Sequence, residues 1–284
     1  MHLSAAEIDA LLQEDVPYGD LTTDLLGFGE QPGRILFRSR QPITVAGTLA
    51  VVQILDHLGI TLEKSAREGS ALEAEGLLLS AQGSAAKLHV LWRIAQNLLE
   101  YCSGIASKAA RLTRQAQAAQ AGIAVTGTRK HFPGNRRLAV AAARAGGILP
   151  HRLGLSESVL VFDKHLAFLG GVAAFATHLR HYQDLTPGCK ILVELQKGPQ
   201  LDEDALLLAA AGVDGLQFDK VAPMVLTPLV RRLREQNPRI TLFAAGGIDE
   251  TNIAHYAATG VDAIVTSAVY HAPPADIGAE ILPL

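Results

Sequence analysis

The sequence predicts an α/β protein in which a smaller α+β region precedes a barrel, complete or open. Strand-like apolar runs recur after Gly122 with helix-like segments between them, at residues 123–125, 159–162, 191–193, 215–218, 240–244 and 263–265. Strands of a parallel sheet are buried on both faces and are therefore apolar along their length, as these runs are. Six alternating units of this kind are typical of a barrel whose chemistry lies at the carboxyl ends of its strands.

Short glycine-containing junctions precede several of these strands. They are Ala121-Gly122-Ile123, Ala211-Gly212-Val213 and Thr259-Gly260-Val261. Glycine at such a position ends a helix in the left-handed conformation, and the apolar run then enters the sheet. The junctions therefore predict where helices end and strands begin.

The first 120 residues have a different pattern. Ser4 and Glu7 have the spacing of a capping box at the start of a helix. Strand-like runs surround one helix near residues 47–57, and they lie at 35–37, 60–62 and 77–79. The proline-free segment 84–120 predicts a long helix with a candidate break at Ser103-Gly104.

The composition is that of a soluble globular protein, since 49% of the 284 residues are hydrophobic and 19% are charged. No stretch without Asp, Glu, Lys or Arg exceeds 15 residues, which is too short to span a bilayer. The N-terminus, with Glu7 and Asp9, lacks the basic and apolar regions of a signal peptide. Cys102 and Cys189 are far apart in the sequence, so a disulfide framework is not expected. We therefore expect a cytoplasmic protein with no membrane segment.

The charge is unevenly distributed along the chain. The net charge of −3 argues against a nucleic-acid or membrane-surface binder. Residues 129–152, however, contain six basic residues and no acidic one, so the rest of the chain has a net charge of −9. The basic residues are Arg129, Lys130, Arg136, Arg137, Arg144 and Arg152. A basic segment within an acidic chain predicts a small anionic ligand rather than a long polyanion.

Cationic side chains follow the first strand of the predicted barrel. Arg129 and Lys130 come just after that strand and before a Pro133-Gly134 turn. Arginine binds carboxylate or phosphate in a bidentate manner, and lysine acts as a point charge. His151-Arg152 belongs to the same basic segment. We expect these residues to bind an anionic substrate, and the alternative is a solvated basic loop.

Carboxylates and glycines follow the later strands. Glu194 ends the third strand and Asp219 the fourth. The two carboxylates can hold a divalent cation, accept hydrogen bonds from sugar hydroxyls, or only neutralise the cations opposite. Gly246-Gly247 follows the fifth strand and is expected to open a helix, where backbone N–H groups can approach a phosphate. Ser267, after the sixth strand, can complete such a site.

Taken in order, these motifs resemble those of quinolinate phosphoribosyltransferase, also called nicotinate-nucleotide pyrophosphorylase. The resemblance covers nearly the whole chain, and the series is more specific than any single motif in it. Its elements are Glu14-Asp15, Gly19-Asp20-Leu21-Thr22-Thr23, Asn97-Leu98-Leu99, Ser103-Gly104-Ile105-Ala106, Thr128-Arg129-Lys130, Pro133-Gly134, His151-Arg152-Leu153-Gly154-Leu155, Val193-Glu194, Asp219 and Gly246-Gly247-Ile248.

The resemblance implies the type II phosphoribosyltransferase fold. An N-terminal α+β sandwich domain (residues 1–110, with 268–284 packing back on it) would lie beside an open α/β barrel of six or seven strands (residues 111–267). The resemblance also implies a homodimer or higher homo-oligomer whose subunits share sites. The implied reaction is Mg²⁺-dependent transfer of phosphoribosyl from phosphoribosyl pyrophosphate to quinolinate or a related aromatic carboxylate, with release of pyrophosphate and, for quinolinate, of CO₂.

Roles for individual residues carry over from the family position by position. Those implied to bind the aromatic carboxylate are Arg129, His151, Arg152 and, contributed in trans by a second subunit, Arg93. Those implied to act on the ribose, the pyrophosphate and Mg²⁺ are Lys130, Glu194 and Asp219. Those implied to bind the 5-phosphate are Gly246, Gly247 and Ser267. Displacement at the anomeric carbon needs alignment of the reactants and charge neutralisation rather than a covalent nucleophile.

The chain departs from the family pattern at several positions. The family's second strand ends in Lys-Asp-Asn-His, whereas this chain has Phe162-Asp163-Lys164-His165. The usual lysine is absent, and Lys164 is a candidate substrate-binding residue in its place. Other departures are at Leu192, Lys220, Phe243, Ala245 and Ser267. The pattern is most similar to the branch of the family found with molybdate transport genes.

Two other interpretations stay open. The chain can be a non-catalytic or divergent accessory protein on the same frame, linked to molybdate uptake. Intact Glu194 and Asp219 argue against complete loss of catalysis. The chain can also be a barrel aldolase with Lys130 or Lys164 as a Schiff-base amine, although neither lysine has the apolar neighbours that lower an amine pKa.

Overall fold

The computed structural model describes residues 3–284. The helices are α1 (Ala5–Asp15), α2 (Leu21–Leu26), α3 (Thr48–Leu58), α4 (Ala85–Ala119), α5 (Arg136–Ala145), α6 (Asp163–Leu169), α7 (Val172–Leu185), α8 (Leu201–Ala211), α9 (Pro223–Gln236) and α10 (Ile253–Ala257), with a short 3₁₀ helix at Ala268–His271. The strands are β1 (Pro32–Ser39), β2 (Ile43–Thr44), β3 (Thr61–Ser65), β4 (Ala71–Leu72), β5 (Leu77–Ser84), β6 (Ala124–Gly127), β7 (Leu149–Pro150), β8 (Val159–Val161), β9 (Ile191–Gln196), β10 (Gly215–Asp219), β11 (Thr241–Ala245), β12 (Ala263–Thr266) and β13 (Ile277–Pro283). No helix within the described range is long and apolar enough to cross a membrane.

The chain forms two compact units, and the first is an α+β sandwich. An antiparallel sheet of order β13-β1-β5-β3 packs against α3 and α4. Burial alternates along β1, which turns Ile35 and Phe37 into the core with Ile54 and Leu91 of the helices. Each such fully buried side chain stabilises the fold by roughly 1.5–3 kcal/mol. At the N-terminus the predicted capping box is confirmed, because the Glu7 N–H donates to Ser4 Oγ and the Ser4 N–H donates to the Glu7 carboxylate.

Two later segments also belong to the first unit, namely Phe132–Gly147 and Val269–Leu284. The first of them lies within the range that the sequence analysis gave to the barrel. Its helix α5 turns alanines such as Ala142 towards Ala46 and Ala106, and this apolar contact groups the segment with the first unit. In the second segment, β13 pairs antiparallel with β1 along its whole length and so extends the sheet.

Helix α4 runs without interruption through Ser103 and Gly104, so the break expected there is wrong. Gly104 is needed for packing, because a Cβ at this position would lie 2.2 Å from the carbonyl oxygen of Pro273. The Ser103 hydroxyl donates to the Ala46 carbonyl (3.1 Å) and accepts from the Ala46 N–H (3.2 Å). Both small residues therefore allow other parts of the chain to approach a continuous helix.

The second unit comprises Arg111–His131 and Ile148–Ala268 and contains one parallel sheet of order β7-β6-β12-β11-β10-β9-β8. All six predicted apolar runs form strands of this sheet. The seventh strand, β7, has only two residues, too few to show a pattern in the sequence. In the part of the chain that the structure describes, β7 and β8 are edge strands that do not pair, so the barrel is open. The predicted junctions hold as well, for example at Gly212, which ends α8 with φ +86°.

Candidate active site

A cavity of about 380 Å³ lies in the second unit at the carboxyl ends of its strands. This volume suits a small ligand, and the carboxyl ends of barrel strands are where such folds place their chemistry. The charged residues that line it are Arg129, Lys130, Arg152, Glu194, Asp219 and Asp249. The cavity thus gathers side chains that are far apart in the sequence.

Backbone hydrogen bonds between strand ends position the cations. The Thr128 N–H donates to the Thr266 carbonyl (3.1 Å), and the Lys130 N–H donates to Thr128 Oγ1 (3.1 Å), which fixes the loop after β6. Within residues 3–284, neither Arg129, Lys130 nor Arg152 forms a salt bridge. Burial, followed by the charge of Arg129, lowers the pKa of Arg152. These cations are therefore available to an anionic ligand.

The basic residues of segment 129–152 are divided between the two units. Arg136, Arg137 and Arg144 lie on α5 in the first unit, where Arg137 forms a salt bridge of 2.8 Å with Glu7. Helix α5 buries its alanines, so its arginines occupy the remaining face. Half of the basic residues in the segment thus lie outside the cavity.

A row of side chains crosses the sheet beneath the cavity. Glu194 on β9, Gln217 on β10 and Phe243 on β11 are directly opposite one another in the parallel register. The Gln217 amide donates a hydrogen bond to the Glu194 carboxylate. Burial raises the pKa of Glu194, and the nearby Asp219 carboxylate acts in the same direction. Asp219 itself is opposite Gln196, so the two carboxylates lie in successive layers rather than in one row.

His151 packs edge-on against the row, with its ring 5.4 Å from that of Phe243. Burial, followed by the charge of Arg152, lowers the pKa of His151, so the imidazole is neutral at pH 7. The Gln217 side chain acts on this pKa in the opposite direction by hydrogen bonding, although His151 Nε2 and Gln217 Oε1 are both buried without a well-aligned hydrogen bond. Two unsatisfied polar atoms in one place are typical of a functional site rather than a packed core.

A glycine turn closes the cavity after β11. Gly246 (φ +87°) and Gly247 (φ +70°) are both left-handed, and a Cβ on Gly246 would lie 2.3 Å from Asp219 Oδ1 and 2.7 Å from the Lys220 nitrogen. Only glycine permits this approach. Lys220 is itself left-handed (φ +57°), which is uncommon for a side chain of its size and places strain beside Asp219.

The chain after the glycine turn differs from the expectation. The glycine pair was expected to open a helix, whereas α10 begins only at Ile253 and has five residues. The Asp249 N–H donates to Asn252 Oδ1 (3.0 Å), and Asn252 Nδ2 donates to the Gly247 carbonyl (2.9 Å), so these side chains hold an extended turn. The Thr266 hydroxyl ties the turn to β12 by donating to the Ile248 carbonyl (2.6 Å).

Comparison with known proteins identifies the family. Residues 20–103 match the N-terminal domain of quinolinate phosphoribosyl transferase, and residues 105–280 match its C-terminal domain. The chain belongs to the quinolinate phosphoribosyltransferase family. It is 36% identical over 281 residues to ModD of Escherichia coli O6:H1 (99% of this chain, 98% of the relative). It is 31% identical over 271 residues to the human nicotinate-nucleotide pyrophosphorylase [carboxylating] (95% of this chain, 89% of the relative).

Solved structures agree on the fold of this family. The crystal structure of NadC from Streptococcus pyogenes has a TM-score of 0.88 with the chain at 24% sequence identity, over 100% of this chain and 99% of that one. The expected combination of a sandwich domain and an open α/β barrel is therefore confirmed.

Most of the residues predicted from the family motifs line the cavity. They are Arg129, Lys130, His151, Arg152, Glu194, Asp219, Gly246, Gly247 and Ser267. Two do not. Arg93 is exposed on α4 in the first unit, with its guanidinium 5.1 Å from the centre of the Trp92 ring. Lys164 is exposed at the start of α6, where its N–H donates to the Asp163 side chain.

Gln217 is a polar lining residue that the sequence analysis missed. It is 5% exposed, although it is polar. The sequence did contain an indication that Gln217 belongs to the site. It lies two residues before Asp219 in an otherwise apolar strand, so the two side chains point to the same face of the sheet.

Proposed function

We propose that the chain transfers the 5-phosphoribosyl group of phosphoribosyl pyrophosphate to the ring nitrogen of quinolinate or a related aromatic carboxylate. The observation that supports this most is one cavity in which three cations without salt bridges lie together with Glu194, Asp219 and a glycine turn. The cations match the anionic groups of both substrates. The carboxylates suit ribose hydroxyls, and the turn suits a phosphate.

The reaction breaks the bond between the anomeric carbon and the pyrophosphate oxygen, and the pyrophosphate leaves with the electron pair. The ring nitrogen of the acceptor forms the new bond to the same carbon. Arg129 and Arg152 hold the acceptor carboxylate, Lys130 neutralises the leaving pyrophosphate, and Glu194 faces the positive charge that develops on the ribose. If the acceptor is quinolinate, the bond to the adjacent carboxylate then breaks, CO₂ leaves, and the ring carbon takes up a proton.

Mg²⁺ fits the chemistry of this donor set. Glu194 and Asp219 would hold it together with substrate oxygens, since Mg²⁺ is usually bound by one or two carboxylates and substrate phosphates. Residues 3–284 contain no group of three or more His, Cys, Asp or Glu that could enclose a metal without substrate. When bound, Mg²⁺ supplies charge that offsets that of the pyrophosphate.

We also propose a homo-oligomer in which Arg93 completes the acceptor site of another copy of the chain. Arg93 is exposed and lies outside the cavity of its own second unit. An isologous dimer would use such a residue twice, once in each site.

The experiment is to incubate the purified protein with Mg²⁺ and phosphoribosyl pyrophosphate and to measure pyrophosphate release with quinolinate, nicotinate and related acids. Pyrophosphate release with any of these acids supports the transferase. Binding of phosphoribosyl pyrophosphate without release for every acid would contradict it and would favour the accessory role.

A further inference from the structure

One wall of the cavity is apolar. Leu160 is buried near the end of β8, and the ring of Phe162 is half-buried directly after the strand. The Phe162 N–H donates to Nδ1 of His165 (3.0 Å), and the two rings lie 5.6 Å apart. The Arg152 guanidinium lies over the Phe162 ring, with its Cζ 5.8 Å from the ring centre. The wall therefore offers a flat apolar surface beside one cation, and Lys164 adds no charge to it because it does not line the cavity.

The wall itself carries no charge, and Arg152 is a cation that lies directly beside it, with its guanidinium over the Phe162 ring. Arg129 and Lys130 line the cavity from a different place, after β6. A ligand group that faces Leu160 and Phe162 therefore meets no charged or hydrogen-bonding side chain of the wall.

An aromatic acid with one carboxylate fits this arrangement. Its carboxylate can bind Arg129 and Arg152 while its ring packs against the apolar wall that Leu160 and Phe162 form. A second carboxylate on the adjacent ring carbon would face Leu160 and Phe162, which have no side-chain hydrogen-bond donor. Removing a carboxylate from water without a partner is expected to weaken binding about tenfold to hundredfold.

We propose that the acceptor is a planar heteroaromatic monocarboxylate and that Phe162 selects it over a dicarboxylate. This inference rests on the proposed function and names the substrate class of the same site. In the transfer, the ring nitrogen bonds to the anomeric carbon and pyrophosphate leaves with the electron pair. The acceptor keeps its one carboxylate, so no CO₂ is released.

The test compares pyridine-3-carboxylate with pyridine-2,3-dicarboxylate, which differ by one carboxylate. The kcat/KM for pyrophosphate release is measured for both acids at saturating phosphoribosyl pyrophosphate and Mg²⁺, and binding of both acids is measured by calorimetry. The wild-type protein is expected to favour the monocarboxylate about tenfold or more. Phe162→Lys is expected to raise kcat/KM for the dicarboxylate at least about tenfold, and Phe162→Leu, the uncharged control, is expected to keep the wild-type preference.

A wild-type preference for the dicarboxylate would overturn the inference, and so would an unchanged ratio in a folded Phe162→Lys variant. If Phe162→Lys does not fold, the ratio of the wild-type kcat/KM values for the two acids is sufficient to test the inference. Failure of the proposed function looks different. In that case neither acid releases pyrophosphate, and the calorimetric ratio of the two acids still tests the selectivity of the Phe162 wall.

Discussion

The amide of Gln217 donates a hydrogen bond to the carboxylate of Glu194, and the two residues are directly opposite each other on β10 and β9. Glu194 lies where burial and the neighbouring carboxylates raise its pKa. The hydrogen bond from Gln217 acts against that shift, because it stabilises the ionised form. Gln217 thereby favours the ionised form of a half-buried carboxylate beside the proposed ribose site.

Replacement of Gln217 by leucine is expected to move the acidic limb of the kcat/KM profile to higher pH. Loss of the hydrogen bond raises the pKa of Glu194 further, so more of the carboxyl is protonated at a given pH and less of the required ionised form remains. At the acidic end of the profile we expect activity to fall about tenfold. The measurement is kcat/KM for pyrophosphate release across the pH range in which both proteins stay folded.

Gln183→Leu is the matched control for this variant. Its amide donates to the Gly212 carbonyl on the outside of the second unit, away from Glu194. We expect the wild-type pH profile in this control. A Gln217→Leu profile that superimposes on the wild-type one would show that Gln217 does not tune Glu194.

The adjacent glycines of the turn after β11 are expected to respond differently to alanine. Gly246→Ala would place a Cβ 2.3 Å from Asp219 Oδ1, whereas a Cβ at Gly247 would meet nothing within 4 Å. Both variants strain a left-handed backbone, at a cost of about 1–2 kcal/mol each. Only Gly246→Ala should also displace Asp219 and raise the KM for phosphoribosyl pyrophosphate at least about tenfold.

Urea unfolding and steady-state kinetics of the two glycine variants separate these effects. The expected result is a larger loss of stability in Gly246→Ala, which adds these close contacts to the backbone strain, and a rise in KM in that variant alone. Similar KM values in both variants would mean that contact between the turn and Asp219 is not needed for substrate binding.

Features that depend on the local sequence pattern could be predicted from the sequence. Features that depend on contacts between residues far apart in the chain could not. The six apolar runs became strands because parallel strands are buried on both faces. Gly104, by contrast, appears as a helix breaker in the sequence, and only the approach of Pro273 reveals why a glycine lies there in a continuous helix.

The same limit applies to the site. Arg129, Glu194 and Asp219 could be predicted from their positions at strand ends, because all parallel strands end at the same edge of the sheet. Gln217 could not be assigned to Glu194 without the register of β9 and β10. Lys164 has the right charge close to the right place in the sequence, but the first turn of α6 leaves it outside the cavity.

Arg129→Ala is expected to lower kcat/KM at least about 100-fold, because the variant removes a bidentate, charged partner of an anionic substrate. Arg144→Ala is the matched control. It removes an exposed arginine from the same basic segment of the sequence, but from α5 in the first unit. A surface change of this kind should alter kcat/KM by no more than about twofold. Near-normal turnover in Arg129→Ala would remove Arg129 from the proposed acceptor site.

Mixing two inactive variants tests whether the proposed sites are shared between copies of the chain. If Arg93 acts in the site of another copy, a dimer of one Arg93→Ala and one Arg129→Ala chain has one doubly altered site and one intact site. Random mixing makes about half of the dimers mixed, so about a quarter of the wild-type activity should return. Arg129→Ala mixed with Lys130→Ala is the control, because both residues line the same cavity of one chain and mixing leaves every site altered. If Arg93 serves its own chain, or no site at all, the first mixture will be no more active than its components.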